Sequence, residues 1–138
     1  MSVDNKAVVQ RFYDEVVNIG NLALADELLS SEYVAHGNPS GSGITGFRNF
    51  VTGLAETCPD LRLSVEDVIA EGDKVVARVV VRATHQGVLL GSIRPTGRRV
   101  ALSGIDIFQI ADGKIVGRWN HRDLLGLLYQ LGVDRLPA

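Results

Sequence analysis

The chain has 138 residues, enough for one domain with a hydrophobic core, and its 46% hydrophobic and 22% charged residues are ordinary for a globular protein. Its net charge of −2, spread over mixed acidic and basic residues, provides neither a basic stripe for nucleic acid nor a basic patch for a membrane surface. The single cysteine, Cys58, excludes an internal disulfide and a cysteine-based zinc site. The sequence shows neither a leader-like segment nor an apolar run of membrane-spanning length, so we expect one cytoplasmic domain over 1–138.

The first third of the chain is predicted to be helical. In residues 3–18 the apolar side chains recur at helical spacing, and Gly20 follows as a natural stop. Further helices are predicted over 22–30 and 47–58. Residues 36–46 are rich in Gly, Ser, Asn and Pro and predict a loop. Because no Lys-Ser or Lys-Thr pair follows these glycines, a phosphate-binding P-loop is excluded.

From residue 61 onward the pattern changes to strands. The β-rich segments and the short apolar helix that ends the chain are, in order, 61–71, 74–86, 98–110, 114–122 and the helix 123–132. Four consecutive strands with short connections predict a mainly antiparallel, strongly curved sheet. The N-terminal helices would cover one face of it, which makes an α+β fold.

A two-residue hairpin turn is predicted at the Asp-Gly pair of 112–113. Asp106 would then lie opposite Trp119, and opposed residues share a face of the sheet. A three-residue loop with a glycine bulge is the alternative, and it would place Ile105 and Ser103 on that face instead.

The alternation of the last strand places Trp119, His121 and Asp123 on one face, which begins apolar and is predicted to point inward. The other face carries the cations of the strand and is predicted to face solvent. In 74–86 an apolar face likewise ends in a histidine, His85. Two inner surfaces that grade from apolar into ionisable groups predict a pocket between the sheet and the helices.

Four stretches of the sequence are distinctive: "YVAHG" around position 36, "THQGVLLGSIRPTGRRV" over 84–100, "GIDIFQIADGKIVGRW" over 104–119 and "RDLLGLLYQLG" over 122–132. Together they resemble the SnoaL-like polyketide cyclase family of the nuclear-transport-factor-2-like superfamily. The resemblance covers nearly the whole chain. It implies a cone-shaped α+β barrel, usually a homodimer, with an active site inside. Characterised cyclases of this family perform a cofactor-independent intramolecular aldol ring closure on aromatic polyketide esters.

The resemblance also implies roles for three residues. Asp123 matches the aspartate that acts as acid and base in the cyclases. Asp106 matches, more loosely, the protonated aspartate that ketosteroid isomerase uses to donate to an oxyanion, and Tyr13 matches a pocket tyrosine. Each has a structural alternative: Asp123 as the cap of the last helix, worth about 1 kcal/mol, Asp106 in a salt bridge with a neighbouring arginine, and Tyr13 in the core.

The remaining candidates are aromatic or imidazole side chains. His121 is interpreted as a pocket residue and a candidate proton donor, while His36 and His85 are expected to line the pocket. Trp119 is either an aromatic wall for the substrate or a core residue. The histidines form no H-x-H or H-x₃-H pair, so no metal site is expected.

The resulting hypothesis is a cofactor-independent cyclase or isomerase that removes a proton next to a carbonyl group of a small apolar or aromatic substrate. Asp123 would act as acid and base, with Asp106 or His121 as the donor to the enolate oxygen. The alternatives are a hydroxylase or an epoxide-hydrolase-like enzyme of the same fold, and a non-catalytic binding protein. Epoxide hydrolysis in this fold needs a water held by an Asp–Arg–Asp arrangement.

Overall fold

The structure, a computed structural model, describes residues 2–37, 43–88 and 93–133. Within these ranges the chain forms four α-helices, one π-helical segment and five strands. In chain order they are α1 (Ser2–Arg11), the π-helical segment (Phe12–Val17), α2 (Leu22–Leu28), β1 (Leu29–His36), α3 (Ile44–Thr57), β2 (Arg62–Glu71), β3 (Lys74–Thr84), β4 (Arg99–Ala111), β5 (Lys114–Arg122) and α4 (Leu124–Gln130). The predicted α+β class is confirmed. No helix in the described part of the chain is long and apolar enough to cross a membrane.

The five strands form one sheet in the order β1-β5-β4-β3-β2. The last four strands of the chain pair antiparallel with their neighbours, as the sequence predicts. The first strand, β1, pairs parallel with β5 and was not predicted. It follows α2 without a turn residue between them, so helical periodicity alone extends the helix into it. The sheet stays open, with β1 and β2 as its edges.

The N-terminal helix packs on the inner face of the sheet through a local widening of its turn. The backbone N–H of Asn18 donates to the carbonyl of Tyr13 at 2.9 Å, a π-helical bond across five residues. Phe12, Tyr13 and Val16 are all completely buried. The rings of Phe12 and Tyr13 both lie edge-on to the ring of Phe108 in β4, each with its centroid 5.6 Å from that of Phe108. The predicted helix over 3–18 therefore exists, and its wide turn directs two consecutive aromatic side chains into the core.

The predicted two-residue hairpin turn is confirmed, because Ala111 pairs directly with Lys114 across it. A bulge follows immediately in β5. Ile110 pairs with Ile115, but Gln109 pairs with Gly117, which leaves Val116 without a partner on β4.

The bulge reverses the predicted faces of β5. Beyond it, Asp106 lies opposite Asn120 and not opposite Trp119. Asp106 does point inward, but the predicted inward placement of Trp119, His121 and Asp123 is wrong. The basic face of β5, predicted to meet solvent, is the one that points inward.

Two predicted features fall partly outside the described residues. Residues 38–42 of the predicted loop 36–46 lie there, and so does part of the segment between β3 and β4, 89–92.

Candidate functional site

A cavity of about 630 Å³ lies between the helices and the inner face of the sheet. Most of its wall is apolar. Apolar residues come from α3, from the inner faces of β3 and β4, and from α4 and the residue after it; they include Phe47, Phe50, Val51, Leu54, Val81, Ala83, Val100, Leu102, Leu127 and Leu131. A cavity of this size and polarity suits a small apolar molecule. The described lining contains no aspartate or glutamate.

Three successive inward-facing residues of β5 form a polar strip of the wall: Arg118, Asn120 and Arg122. We call them the donor row, because guanidinium groups only donate hydrogen bonds and an amide can donate two. None of the three is predicted from the sequence as a site residue, since strand alternation assigns them to the solvent face.

Asp106 lies directly behind the donor row and holds both arginines. Its carboxylate is fully buried. It accepts hydrogen bonds from Arg118 Nη2 at 3.0 Å and from Arg122 Nη1 and Nη2 at 2.7 and 3.2 Å. The hydroxyl of Tyr13 donates a further hydrogen bond to the same carboxylate. The salt-bridge alternative for Asp106 therefore describes its contacts.

These contacts fix the protonation states of the cluster. Burial alone would raise the pKa of Asp106, but the charge of Arg118 and the bonds from Arg122 and Tyr13 hold it below its ordinary value. Burial and the adjacent carboxylate raise the pKa of Tyr13. Asp106 is thus an ionised acceptor and Tyr13 a neutral donor. A protonated Asp106, as in ketosteroid isomerase, does not match this arrangement.

The guanidinium of Arg118 is held in an aromatic setting. Its central carbon lies 5.2 Å from the ring centroid of Phe12 and 5.5 Å from that of Phe108, and the side chain is almost fully buried. Its Nε has no hydrogen-bond partner in the described part of the protein. Tyr33 is close by: burial raises its pKa, and the charge of Arg118 opposes that rise.

Gly104 gives Arg122 its path to Asp106. A Cβ atom at this position would overlap Nη1 of Arg122 and lie 2.5 Å from the carbonyl oxygen of His121. A glycine in the middle of a strand marks such a close approach, and it is the sequence signal that could have indicated this site.

Trp119 and His36 lie on the opposite side of the sheet from the donor row. Their rings stack with centroids 4.1 Å apart and planes 7° apart. Trp119 does not belong to the cavity lining, whereas His36 belongs to it at the end of β1 while its ring covers the indole. The stacking fits a structural role for both rings.

His121 and Asp123 lie outside the cavity. His121 is exposed, and both residues border a separate depression together with Arg78 and Ile105. The side chain of Asp123 accepts a hydrogen bond from the backbone N–H of Gly126 at 2.8 Å and caps α4. The helix-cap alternative therefore accounts for the contacts of this carboxylate.

His85 is the one predicted pocket histidine whose side chain is buried, with 2% of its surface exposed, and it lines the cavity. Tyr13 is not part of the lining, because it lies behind Asp106 in the core. The structure thus brings Tyr13 and Asp106 together with two unpredicted arginines, and leaves His85 apart from them.

The geometry can be set beside known proteins. The sequence profile of the SnoaL-like polyketide cyclases matches residues 7–131. The chain belongs to the SnoaL-like polyketide cyclase family. A comparison with curated protein sequences found no significant match.

Three of the solved structures similar to this SnoaL-like protein come from Streptomyces species. TsrD from Streptomyces laurentii is 36% identical, with 95% of this chain and 96% of TsrD covered and a TM-score of 0.86. AclR from Streptomyces galilaeus, provisionally named a hydroxylase, is 29% identical over 100% and 89% of the two chains, with a TM-score of 0.84. IdmH from Streptomyces antibioticus, provisionally named a polyketide cyclase, is 28% identical over 94% and 99%, with a TM-score of 0.81.

In this SnoaL-like protein the donor row places two cations and an amide at the cavity wall, and the described lining holds no carboxylate. The carboxylate of Asp106 holds the two arginines of the wall, and both of its oxygens are occupied. The arrangement is Arg–Asp–Arg, not the Asp–Arg–Asp set expected of an epoxide hydrolase of this fold. Such a wall can stabilise negative charge on an oxygen atom of a bound molecule.

Proposed function

We propose that the protein is a cofactor-independent enzyme that stabilises the enolate of a small apolar carbonyl compound, as in an aldol-type ring closure or an isomerisation. The observation that carries the proposal is the donor row in a mostly apolar cavity, with two guanidinium groups held by one carboxylate. An enolate places negative charge on oxygen, and preorganised cations in an apolar site stabilise that charge more than water does.

The proposal gives each residue of the cluster a distinct task. Arg122 and Asn120 would donate hydrogen bonds to the enolate oxygen. Arg118, whose side chain is more deeply buried, would contribute its positive charge. Asp106 and Tyr13 would keep the guanidinium groups in place and would not exchange protons with the substrate. The described lining holds no carboxylate base, so water in the cavity would accept the proton, and the nearby cations would assist by lowering the pKa of the carbon next to the carbonyl group.

Ring closure is the reaction class that the family relationship favours, because IdmH and other similar structures carry cyclase names. The substrate would be an aromatic or polyketide-like carbonyl compound, since the wall around the donor row is apolar.

A non-catalytic protein that binds an apolar anion is the second candidate. The absence of an aspartate or glutamate from the described cavity lining favours it, because binding needs no base. Experiments that measure oxyanion binding and proton removal separately therefore decide between the two functions.

The first experiment uses 2-naphthol, whose naphtholate form resembles an enolate on an aromatic ring. We expect bound 2-naphthol to ionise at a lower pH than free 2-naphthol, because the donor row stabilises the anion. Fluorescence titration distinguishes the two forms. Arg122→Gln should remove most of the shift, whereas Arg78→Gln, a matched change at an exposed arginine paired with Asp67, should leave it unchanged. Binding of the neutral form alone would contradict the proposal.

The second experiment measures catalysis. Exchange of the hydrogens next to the carbonyl of 2-tetralone in deuterated water, followed by NMR, should be accelerated by the protein. Loss of one oxyanion donor in Arg122→Gln should slow the exchange by roughly 100-fold. Tight naphtholate binding without any acceleration would support the binding protein over the enzyme.

A further inference from the structure

His85 lies far from the donor row along the sheet. Arg122 pairs with Gly104, and Gly104 pairs in turn with Val79 of β3. His85 is six residues further along the chain, which corresponds to about 20 Å of extended strand. Any function of His85 is therefore separate from that of the arginines.

Thr96 determines which ring nitrogen of His85 carries the hydrogen. The backbone N–H of Thr96 donates to Nδ1 at 3.3 Å, and its hydroxyl oxygen lies 3.1 Å from the same nitrogen. That oxygen already accepts a hydrogen bond from the backbone N–H of Arg98 at 3.2 Å, so its own hydrogen is available for Nδ1. Because a backbone N–H can only donate, Nδ1 is an acceptor, and the hydrogen of the neutral ring is on Nε2.

The Nε2 atom of His85 is buried and has no hydrogen-bond partner among the residues that the structure describes. The ring lines the cavity beside apolar residues such as Ala83 and Val100. Buried donors are normally paired, since an unmade hydrogen bond is unfavourable. His85 is therefore a residue of the cavity wall whose Nε2–H has a fixed position on the ring and no described partner. Such a group is suited to donate to an oxygen atom of a bound molecule.

We propose that Nε2–H of His85 recognises a neutral oxygen acceptor, a carbonyl or ether oxygen, on the part of the substrate that lies away from the donor row. His85 is then a specificity-determining residue, and Thr96 is the positioning residue that keeps it a donor. A molecule with a methylene group in place of that oxygen would leave Nε2–H unpaired and would be rejected. The inference rests on the proposed function only in that the same cavity holds the substrate.

The test compares 9-fluorenone with fluorene, which have the same ring skeleton and differ in a carbonyl oxygen. By calorimetry we expect the wild-type protein to bind fluorenone roughly three- to tenfold more tightly, as one neutral hydrogen bond provides. His85→Phe should abolish the preference. Arg122→Gln and the control His121→Gln, at an exposed histidine, should retain it. Equal binding of the two compounds, or a preference that survives His85→Phe or disappears only in Arg122→Gln, would overturn the proposal.

Thr96 provides a second test that does not depend on the stability of His85→Phe. Ring-nitrogen NMR of the wild-type protein should show the hydrogen of His85 on Nε2. Thr96→Val keeps the shape of the side chain but removes the hydroxyl, so it should increase the Nδ1–H form and reduce the fluorenone preference, while Thr96→Ser should preserve both. A wild-type spectrum with the hydrogen on Nδ1 would refute the inference. The naphtholate and exchange experiments would be unaffected, since they depend on Arg122.

Discussion

Asp123 shows how one carboxylate can match a family position and still have a structural task. It is exposed, and its contact is the hydrogen bond from the backbone N–H of Gly126, which satisfies an otherwise unpaired group at the start of α4. Asp123 is not part of the lining of the cavity that contains the donor row, although it borders the separate depression that Arg122 also borders. An acid–base role for Asp123 on a molecule in that cavity would require the strand end to rearrange.

Substitution of Asp123 distinguishes the cap from the base. We expect Asp123→Ala to lower the free energy of unfolding by about 1 kcal/mol, and Asp123→Asn to lower it much less, because asparagine also caps helices. Urea denaturation measures both. Neither variant should change 2-tetralone exchange. If Asp123→Asn abolished exchange at unchanged stability, the assignment of catalysis to the donor row would be wrong.

At the scale of elements, the site depends on how β4 and β5 meet. Asp106 and Arg122 can pair because Gly104 leaves space above the strand and because the bulge at Val116 turns the arginines inward. Two local features of one hairpin thus position the whole cationic wall.

Gly104→Ala tests this dependence. The added methyl group would overlap Arg122 and lie 2.5 Å from a backbone oxygen of β5, so the strand would have to move. We expect a loss of about 1–3 kcal/mol in unfolding free energy and loss of the naphthol ionisation shift. Gly53→Ala is the matched control: it has open space in the middle of α3 and should stabilise the protein by about 0.5–1 kcal/mol. A Gly104→Ala protein as stable as the wild type would exclude the close approach.

The sequence was sufficient for most of the fold and for part of the site. Periodicity located the helices and four strands. The inner face of β3 was predicted correctly as far as His85, because the pairing of β3 with β4 contains no bulge. The prediction of faces failed at β5. Side chains alternate between the two faces of a strand, so one extra residue exchanges the faces of all the residues after it. An unpaired Val116 has no distinctive residue type, so only the pairing partner on β4 reveals it.

At the scale of the whole molecule, the two faces of the sheet have different chemistry. The inner face contains the cavity and the buried cluster. The outer face contains a row that crosses all five strands in direct register and consists of three aliphatic residues and two stacked rings: Ile69, Val76, Ile107, Trp119 and His36. The homodimer that the family resemblance implies remains a prediction from the sequence.

Asp106 also links the stability of the whole protein to pH. Its pKa in the folded state is below the value of about 3.9 expected in the unfolded chain. Its ionic contacts therefore stabilise the fold fully above that value, and this contribution is lost as the pH falls through the lower, folded pKa. Acid should weaken the protein partly through this one buried group.

The variant Asp106→Asn isolates that contribution. Near pH 7 we expect it to be about 3–5 kcal/mol less stable than the wild type, because two buried guanidinium groups lose their counter-charge. Urea denaturation at decreasing pH should show the difference shrinking. Asp67→Asn, at an exposed ion pair, should cost no more than about 1 kcal/mol. A difference for Asp106→Asn that is the same at every pH would contradict an ionised carboxylate.

The unpaired Val116 affects how relatives of different length should be aligned. It lies between the hairpin turn and Arg118, and the pairing on either side of it is regular. A relative that lacks this one residue would present the same guanidinium groups from a continuous ladder. A one-residue gap at this point in an alignment therefore changes the number of residues between the turn and Arg118, and leaves the residues of the site the same. Homologous positions in this region are better anchored on the buried aspartate and its two arginine partners than on their distance from the turn.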